Sequence, residues 1–448
     1  MLTMAGAFSN VQNTLTKLDF TFVKCEVPLI SLSEILLFCK NLNTLIFDAL
    51  DYADKFIGDH ERLEEPHKEL VNMEMSTIST TGEALEPLLK KCPKLRRVAM
   101  KNCDAKIPDV LYEHCPSLEI FGYEADFADV PQLDDLPQQQ QQQENDGEQQ
   151  PCLREIYTRD GGYGVPAEGI IRLLRKNAKT LKVVFINLYL TAQQKSNNEP
   201  HDGIHPDYGE PFKFEQLEKL TYWPDIYGAA EPLLLHAIES CPSLKMFNPA
   251  YSTNISQIVD TIKKSPTVEQ LELTNVSCYD NLGSDDFMTQ LFKAYADETH
   301  IPDLNLRTVR FHDSNVITDS VLDALADIKT LEVVKLFDLT RVTTEGLKAF
   351  LQKLDKNDIR IKELRLDDLY IVDDAVLRLL PNLKYLESLH LEDLVRITDN
   401  GVKYLVDNVK GLHHFKLKHC ICISREDMSA YVENSKNIKH FETMHDSS

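Results

Sequence analysis

Residues 386–406 read LESLHLEDLVRITDNGVKYLV. Leu386, Leu389 and Leu391 stand in the order Leu-x-x-Leu-x-Leu, a polar turn follows, and Thr398-Asp399 opens a stretch with helical spacing. Moving outward from this unit, the pattern returns as Leu306-x-x-Val309-x-Phe311, Leu331-x-x-Val334-x-Leu336, Ile361-x-x-Leu364-x-Leu366 and Leu412-x-x-Phe415-x-Leu417, at intervals of 25 to 30 residues. Behind the strand motif, Val321, Leu322 and Leu325 follow Thr318-Asp319, and Leu347, Phe350, Leu351 and Leu354 follow Thr343-Thr344-Glu345. Spacings of three and four put such residues on one helical face. The Thr-Asp, Thr-Thr-Glu and Ser424-x-x-Asp427 starts have the residue types of helix N-caps, which satisfy free backbone donors.

The template extends to the N-terminus through Leu15/Leu18/Phe20, Leu42/Leu45/Phe47, Leu70/Met73/Met75, Leu95/Val98/Met100 and Leu118/Phe121/Tyr123. It continues through Leu153/Ile156/Thr158, Leu181/Val184/Ile186, Leu217/Leu220/Tyr222, Leu244/Phe247 and Val268/Leu271/Leu273, and a truncated unit opens at Ile438 and Phe441. One match is weak; about sixteen at one period define a repeat array. Each unit is a short strand and a return helix, and neither buries its apolar face alone, so the units must stack. The expected fold is an α/β leucine-rich-repeat solenoid, a curved horseshoe with a parallel inner sheet and outer helices, forming a single domain over residues 1–448. Three long intervals read as insertions in it: 124–150 (acidic, with glutamines 138–143, expected to be disordered), 191–213 (a polar loop) and 279–303 (a loop with a short helix).

The formal net charge of -23 argues against nucleic acid as a partner, because such binding needs a positive surface to release counterions. Residues 124–150 hold eight of the acidic side chains and no Lys or Arg. No apolar run is long enough to span a bilayer, and residues 1–10 lack the charged start and apolar stretch of a secretory signal. These features point to the cytoplasm or nucleus and to no membrane partner. Ten cysteines in 448 residues do not suggest a disulfide framework.

The cysteines fit the repeat instead. Cys92-Pro93-x-Leu95, Cys115-Pro116-x-Leu118 and Cys241-Pro242-x-Leu244 place a Cys three residues before a strand's first Leu, as does Cys39 before Leu42. Cys103 and Cys420 stand eight residues after a first Leu, where other units carry Val276, Leu339, Leu369 and Leu394. Cys packs there as a small apolar side chain. With Val316-Ile317-Thr318-Asp319 and Arg396-Ile397-Thr398-Asp399, the chain resembles the cysteine-containing, ribonuclease-inhibitor-like repeats of the F-box/leucine-rich-repeat family, over nearly its whole length. That resemblance implies a substrate receptor of an SCF-type ubiquitin ligase, whose repeats hold a protein destined for degradation. In that family a three-helix F-box docks the ligase adaptor. Only 14 residues precede the first strand motif, so an adaptor is expected as a partner only if an F-box lies upstream of Met1. The alternative is a repeat-type regulator of another enzyme, such as a GTPase activator or inhibitor, or a stand-alone interaction scaffold.

Within Leu-x-x-Leu-x-Leu, the residue between the second and third apolar positions points to the open face of the sheet. In the last five full repeats that column reads Arg310, Lys335, Arg365, His390 and Lys416. Like charges stacked on adjacent strands are destabilising unless compensated. Two readings follow: the carboxylates of Glu332, Glu363, Glu387, Glu392 and of Asp313, Asp338, Asp368 and Asp393 neutralise the column, or the column reads an acidic or phosphorylated segment of a protein partner. Tyr157 and Phe185 occupy the same column earlier and form a candidate aromatic contact site, whereas Tyr222 takes an inward, core position. No catalytic, cofactor or metal site is expected. His413, His414, His419, Cys420 and Cys422 alternate across a strand rather than converging on a metal. Gly161-Gly162-x-Gly164 lacks the Lys and Ser/Thr of a phosphate loop, and no GxSxG nucleophile motif is present.

Overall fold

The computed structural model describes residues 13–22, 31–49, 57–58, 65–104, 106–123, 153–158, 165–189, 209–224, 230–239, 241–277, 284–297, 305–424, 431–432, 435 and 438–444. The insertion at 124–150, most of that at 191–213, the glycines 161–164 and residues 425–430, with the candidate Asp427, lie outside them. The chain forms two compact units, Met1–Ala237 and Ile238–Ser448.

The first unit contains β1 (Lys17–Phe22), α1 (Leu32–Phe38), β2 (Thr44–Ala49), β3 (Asn72–Thr80), α2 (Gly82–Leu89), β4 (Arg97–Cys103), α3 (Ile107–His114), β5 (Ile120–Tyr123), β6 (Glu155–Thr158), the two-residue β7 (Val165–Pro166), α4 (Ala167–Lys176), β8 (Val183–Tyr189), β9 (Lys219–Trp223) and α5 (Glu231–Ile238). All neighbouring strands are parallel, and β7 adds to β8. The register brings Leu45, Met73, Val98, Phe121, Ile156, Val184 and Leu220 into one inward column, each almost fully buried.

In the second unit β10 (Met246–Pro249), α6 (Ile255–Lys263), β11 (Gln270–Thr274), α7 (Ser284–Ala296), β12 (Thr308–His312), α8 (Asp319–Leu325), β13 (Val333–Phe337), α9 (Thr344–Lys356), β14 (Glu363–Asp367), α10 (Asp374–Leu377), β15 (Ser388–Glu392), α11 (Asp399–Asn408), β16 (His414–Lys418) and β17 (His440–Met444) alternate. The strands again pair in parallel and in chain order. Leu271, Val309, Val334, Leu364, Leu389 and Phe415 make one inward column, and Leu273, Phe311, Leu336, Leu366, Leu391 and Leu417 make the other; none is more than 2% exposed. Burying each such side chain contributes about 1.5–3 kcal/mol. Eight ladder strands in each unit match the sixteen repeats read from the period, and the fold is an α/β leucine-rich-repeat solenoid.

The cysteines pack as expected of small apolar residues. Cys39, Cys92, Cys115 and Cys241 are buried, and the carbonyls of the first three accept from the N–H of Leu42, Leu95 and Leu118 in a tight turn before the strand. Burial pushes the Cys92 thiol up to about 12.

Each of β11 to β16 leaves through a left-handed corner. Asn275, Asp313, Asp338, Asp368, Asp393 and His419 all have φ between 45° and 53° except Asp338 at 43°, and Asn, Asp and His are the non-glycine residues that adopt this region most readily. The corner aims the N–H of Asp313, Asp338, Asp368 and Asp393 at the last carbonyl of the next strand, each at 3.1 Å.

A second interlock joins successive helices. Asp319, the first residue of α8, accepts from the N–H and Oγ1 of Thr343 at 2.8 and 2.7 Å. Asp374 accepts from Thr398 at 2.8 and 2.6 Å, and Asp399 from Ser424 at 2.9 Å twice. The Thr-Asp motif is therefore a bond between repeats as much as a cap. Thr343 also caps α9 through Gly346 N–H at 3.0 Å. Thr318 and Thr398 stand at the N-cap position without making that bond; the Thr398 hydroxyl is turned to Asp374 instead. The bidentate Asp lies directly over a glycine of the following helix, and a Cβ on Gly346 or Gly401 would fall well under van der Waals separation from Asp319 or Asp374. Gly346→Ala should destabilise the protein by about 1–3 kcal/mol through loss of these hydrogen bonds. In urea unfolding the same change made on an Asp319→Ala background should cost far less. Equal costs in both backgrounds would show that the interlock is not what excludes a side chain there.

Candidate partner-binding face

Strand alternation in the second unit points every other side chain away from the helices. Strands β11 to β17 carry three outward columns. The central one runs Glu272, Arg310, Lys335, Arg365, His390, Lys416 and Glu442, one residue per repeat in direct register. The structure therefore brings the five sequence-selected residues into a single line, with a glutamate at each end.

Every member of the line meets a carboxylate. Lys335 Nζ lies 2.8 Å from Glu363 Oε1, and Lys416 Nζ lies 3.0 Å from Glu442 Oε2. Arg365 Nη2 donates to Asp367 Oδ2 at 2.7 Å and to Glu392 Oε2 at 2.9 Å. Arg310 is held most loosely: its nearest acidic oxygen, on Glu272, is 3.9 Å away, and its side chain is 44% exposed. At adjacent-strand spacings of about 4.8 Å the cations would repel, and acids on the flanking columns alternate with them to offset this. Pairs exposed to this degree stabilise the fold only modestly.

The acids that do this differ in part from those read off the sequence. Glu363 and Glu392 serve, but Glu332 pairs with Arg307 and Lys362. The corner residues Asp313, Asp338 and Asp368 make no ion pair and no side-chain hydrogen bond among the described residues. Their backbone conformation explains this, since the left-handed turn carries the carboxylates past the strand end. Glu272, Asp367 and Glu442 were not anticipated, because matching them to their partners needs the register.

Phe337 was also missed. It follows Lys335 by two residues on the outward face, and the guanidinium carbons of Arg310 and Arg365 sit 5.0 and 4.6 Å from its ring centroid. One ring thus holds two cations from the flanking strands, an arrangement favoured by the ring quadrupole. The available signal was an aromatic in a column otherwise polar: His312, Asp367, Glu392 and Lys418.

His390 is the exception among the cations. Burial, followed by the charges of Arg365, Lys416 and Lys418, lowers its pKa to about 4. Its Nε2 lies 3.0 Å from Glu392 Oε2 but is not aligned for a hydrogen bond. The line therefore carries four positive charges at neutral pH, with an uncharged imidazole between Arg365 and Lys416.

In the first unit Tyr157 and Phe185 are direct cross-strand partners on β6 and β8, both half-buried. The Tyr157 hydroxyl donates to Glu155 at 2.7 Å, and burial, then the Glu155 charge and this hydrogen bond, raise its pKa. Tyr222 is fully buried and donates to Glu231 at 2.8 Å, a core role. Of the histidines and cysteines near the C-terminus, Cys420 is buried and His414 stacks on His440 at 4.8 Å. His419 approaches Asp393 at 3.6 Å. Glu392, Asp393 and His419 each bring one potential ligand atom within 4.8 Å of the others, but Glu392 is already engaged by Arg365.

No protein-family model matches the chain, and no curated protein matches it. Solved structures similar to it include the complex of Rad7 and Elc1 in yeast, 11% identical, covering 84% of this chain and 81% of that chain with a TM-score of 0.43. An internalin from Listeria monocytogenes is 12% identical and covers 98% of this chain and 89% of its own with a TM-score of 0.38. The repeat assignment rests on the strand registers above and not on these likenesses.

The lowered pKa of His390 has a sign that can be checked. The unfolded chain takes up this proton near pH 6.5, while the folded state resists it down to about 4. His390 therefore contributes a loss of stability as pH falls through that window and none above it. Ring-carbon NMR of the folded protein should show His390 neutral at pH 5.5; a titration midpoint above 6 would contradict the burial and charge argument.

Proposed function

We propose that the chain is a protein-binding scaffold whose outward face on β12 to β16 holds an acidic or phosphorylated segment of its partner, and that it acts as a substrate receptor in SCF-type ubiquitin-dependent degradation. The observation that carries the binding half is the in-register line of Arg310, Lys335, Arg365 and Lys416, all partly exposed on a sheet face that no described helix covers. An incoming anion has to displace the resident carboxylates. A phosphate, with more negative charge and three acceptor oxygens, competes best against single carboxylates. Arg310 is where that exchange costs least, since Glu272 stands 3.9 Å off and Phe337 already orients the guanidinium. Tyr157 and Phe185 offer a separate aromatic contact on the first unit.

The degradation half is supported by resemblance: the Cys-Pro-x-Leu turns and the Thr-Asp helix starts are those of repeats that commonly follow an F-box. It is tested by expressing the protein from its full-length transcript and mixing it with purified adaptor and cullin. Co-elution supports the receptor reading, and separate elution would leave a scaffold without a ligase.

Binding is tested with a fluorescent acidic peptide carrying two phosphoserines. Changing Arg310, Lys335 and Arg365 together to Ser should weaken binding by about tenfold or more, with Arg310→Ser the costliest single change, while the unfolding midpoint moves little. Binding by the triple variant equal to the wild type would end this assignment of the face.

A further inference from the structure

The turns that leave β12 to β16 carry two features that the partner-binding line does not use. The residue two places beyond each left-handed corner forms its own column: Asn315, Thr340, Tyr370, Val395 and Ile421. Hydrogen bonds hold this rim in register across repeats. Arg341 donates to the carbonyl of Asn315 at 3.0 Å, Arg396 to that of Tyr370 at 3.5 Å, and Cys422 Sγ to that of Val395 at 3.3 Å. On the turns after β14, β15 and β16 the rim is apolar, and its side chains face solvent: Tyr370 is 55%, Val395 43% and Ile421 77% exposed. The repeat itself does not demand this. Asn315 and Thr340 fill the same place with polar side chains, whereas the residue just before, Leu369, Leu394 or Cys420, is the one that enters the core.

Beside the rim stand the corner carboxylates. Asp313, Asp338 and Asp368 follow one another in successive repeats, and none has an ion pair among the described residues. Burial, and then the charges of Asp313 and Asp368, raise the pKa of Asp338, with His312 opposing them in part, as stacked anions should. Asp393, next in line, has His419 at 3.6 Å. The cations closest in sequence are engaged elsewhere: Lys335 with Glu363, Arg365 with Asp367 and Glu392, and Arg341 with the Asn315 carbonyl. Exposed apolar side chains in successive turns of an otherwise charged surface mark an interaction site, and here they begin at the turn of Asp368, where the run of corner carboxylates without an ion pair among the described residues ends.

We propose that this rim is a second docking surface, and that its occupant is a protein segment combining apolar side chains, which cover Tyr370, Val395 and Ile421, with lysines or arginines, which meet Asp313, Asp338 and Asp368. The charge it reads is opposite to that read by the Arg310–Lys416 line, so the two surfaces take different parts of a partner or different partners.

The test uses the full chain and a fluorescein-labelled peptide of alternating Leu and Lys, with Leu-Glu and Ser-Lys peptides for comparison. Two variants keep the fold by borrowing residues that other repeats already place at the same positions. Tyr370, Val395 and Ile421 are changed to Thr, as at Thr340. Asp313, Asp338 and Asp368 are changed to Asn, as at Asn275, whose φ is 52°. Thermal unfolding checks both. The Leu-Lys peptide should bind the wild type better than either comparison peptide, and each triple variant should lose about tenfold in affinity. The Arg310, Lys335, Arg365 to Ser variant should retain Leu-Lys binding, which separates this surface from the phosphopeptide face. Equal binding of the Leu-Lys peptide to wild type and both rim variants would overturn the proposal, since it would report only the protein's overall negative charge. So would wild-type self-association in sedimentation that the Thr variant abolishes without any peptide binding, because the occupant would then be a second copy of the chain.

Discussion

In parallel strands stacked in register, each side chain meets its counterpart one repeat away at about 4.8 Å. Inside, this is favourable, because Leu, Val and Phe gain from facing their own kind: Val309, Val334, Leu364 and Leu389 form such a column. Outside, the same rule multiplies whatever charge the repeat carries. The basic line is stable only because Glu363, Asp367, Glu392 and the end residues Glu272 and Glu442 are interleaved with it. The corner residues Asp313, Asp338 and Asp368 are the reverse case, a column of one sign without an ion pair among the described residues.

The repeated backbone makes local geometry a property of the stack. A left-handed corner at Asp338 lets its N–H reach the carbonyl of Asp367, and the same corner at Asp368 reaches Glu392. The Asp319–Thr343 and Asp374–Thr398 pairs do the same work on the helix side and confine Gly346 and Gly401 to residues without a side chain. These devices hold the register, and the register creates the partner-binding line.

Much of this was legible in the sequence because burial has a strict period. Leucines at intervals of 25 to 30 residues identified the strands, and the position between two inward residues identified the outward column from Arg310 to Lys416. What could not be read was pairing across long separations. Arg310 meets Glu272 across a stretch that includes α7, so the match depends on how the intervening chain folds. The aspartate column is visible as a column, but its left-handed backbone is not, so from sequence it stands among the carboxylates that could neutralise the cations. His390 counted as potentially basic from composition, whereas burial between Arg365 and Lys416 keeps it neutral. The exposed rim at Tyr370, Val395 and Ile421 escaped notice because its residues follow the core position of the turn by one and resemble core residues in type.

The register of β12 on β13 is the most direct point of attack on this account. Cysteines replacing Arg310 and Lys335 should form a disulfide under mild oxidation, since directly opposed residues lie within the Cα separation such a bond requires. Cysteines replacing Arg310 and Leu336, on opposite faces of the sheet, should not. Bridging of the second pair in preference to the first would mean a strand slipped by one residue, and with it the loss of the continuous line from Glu272 to Glu442.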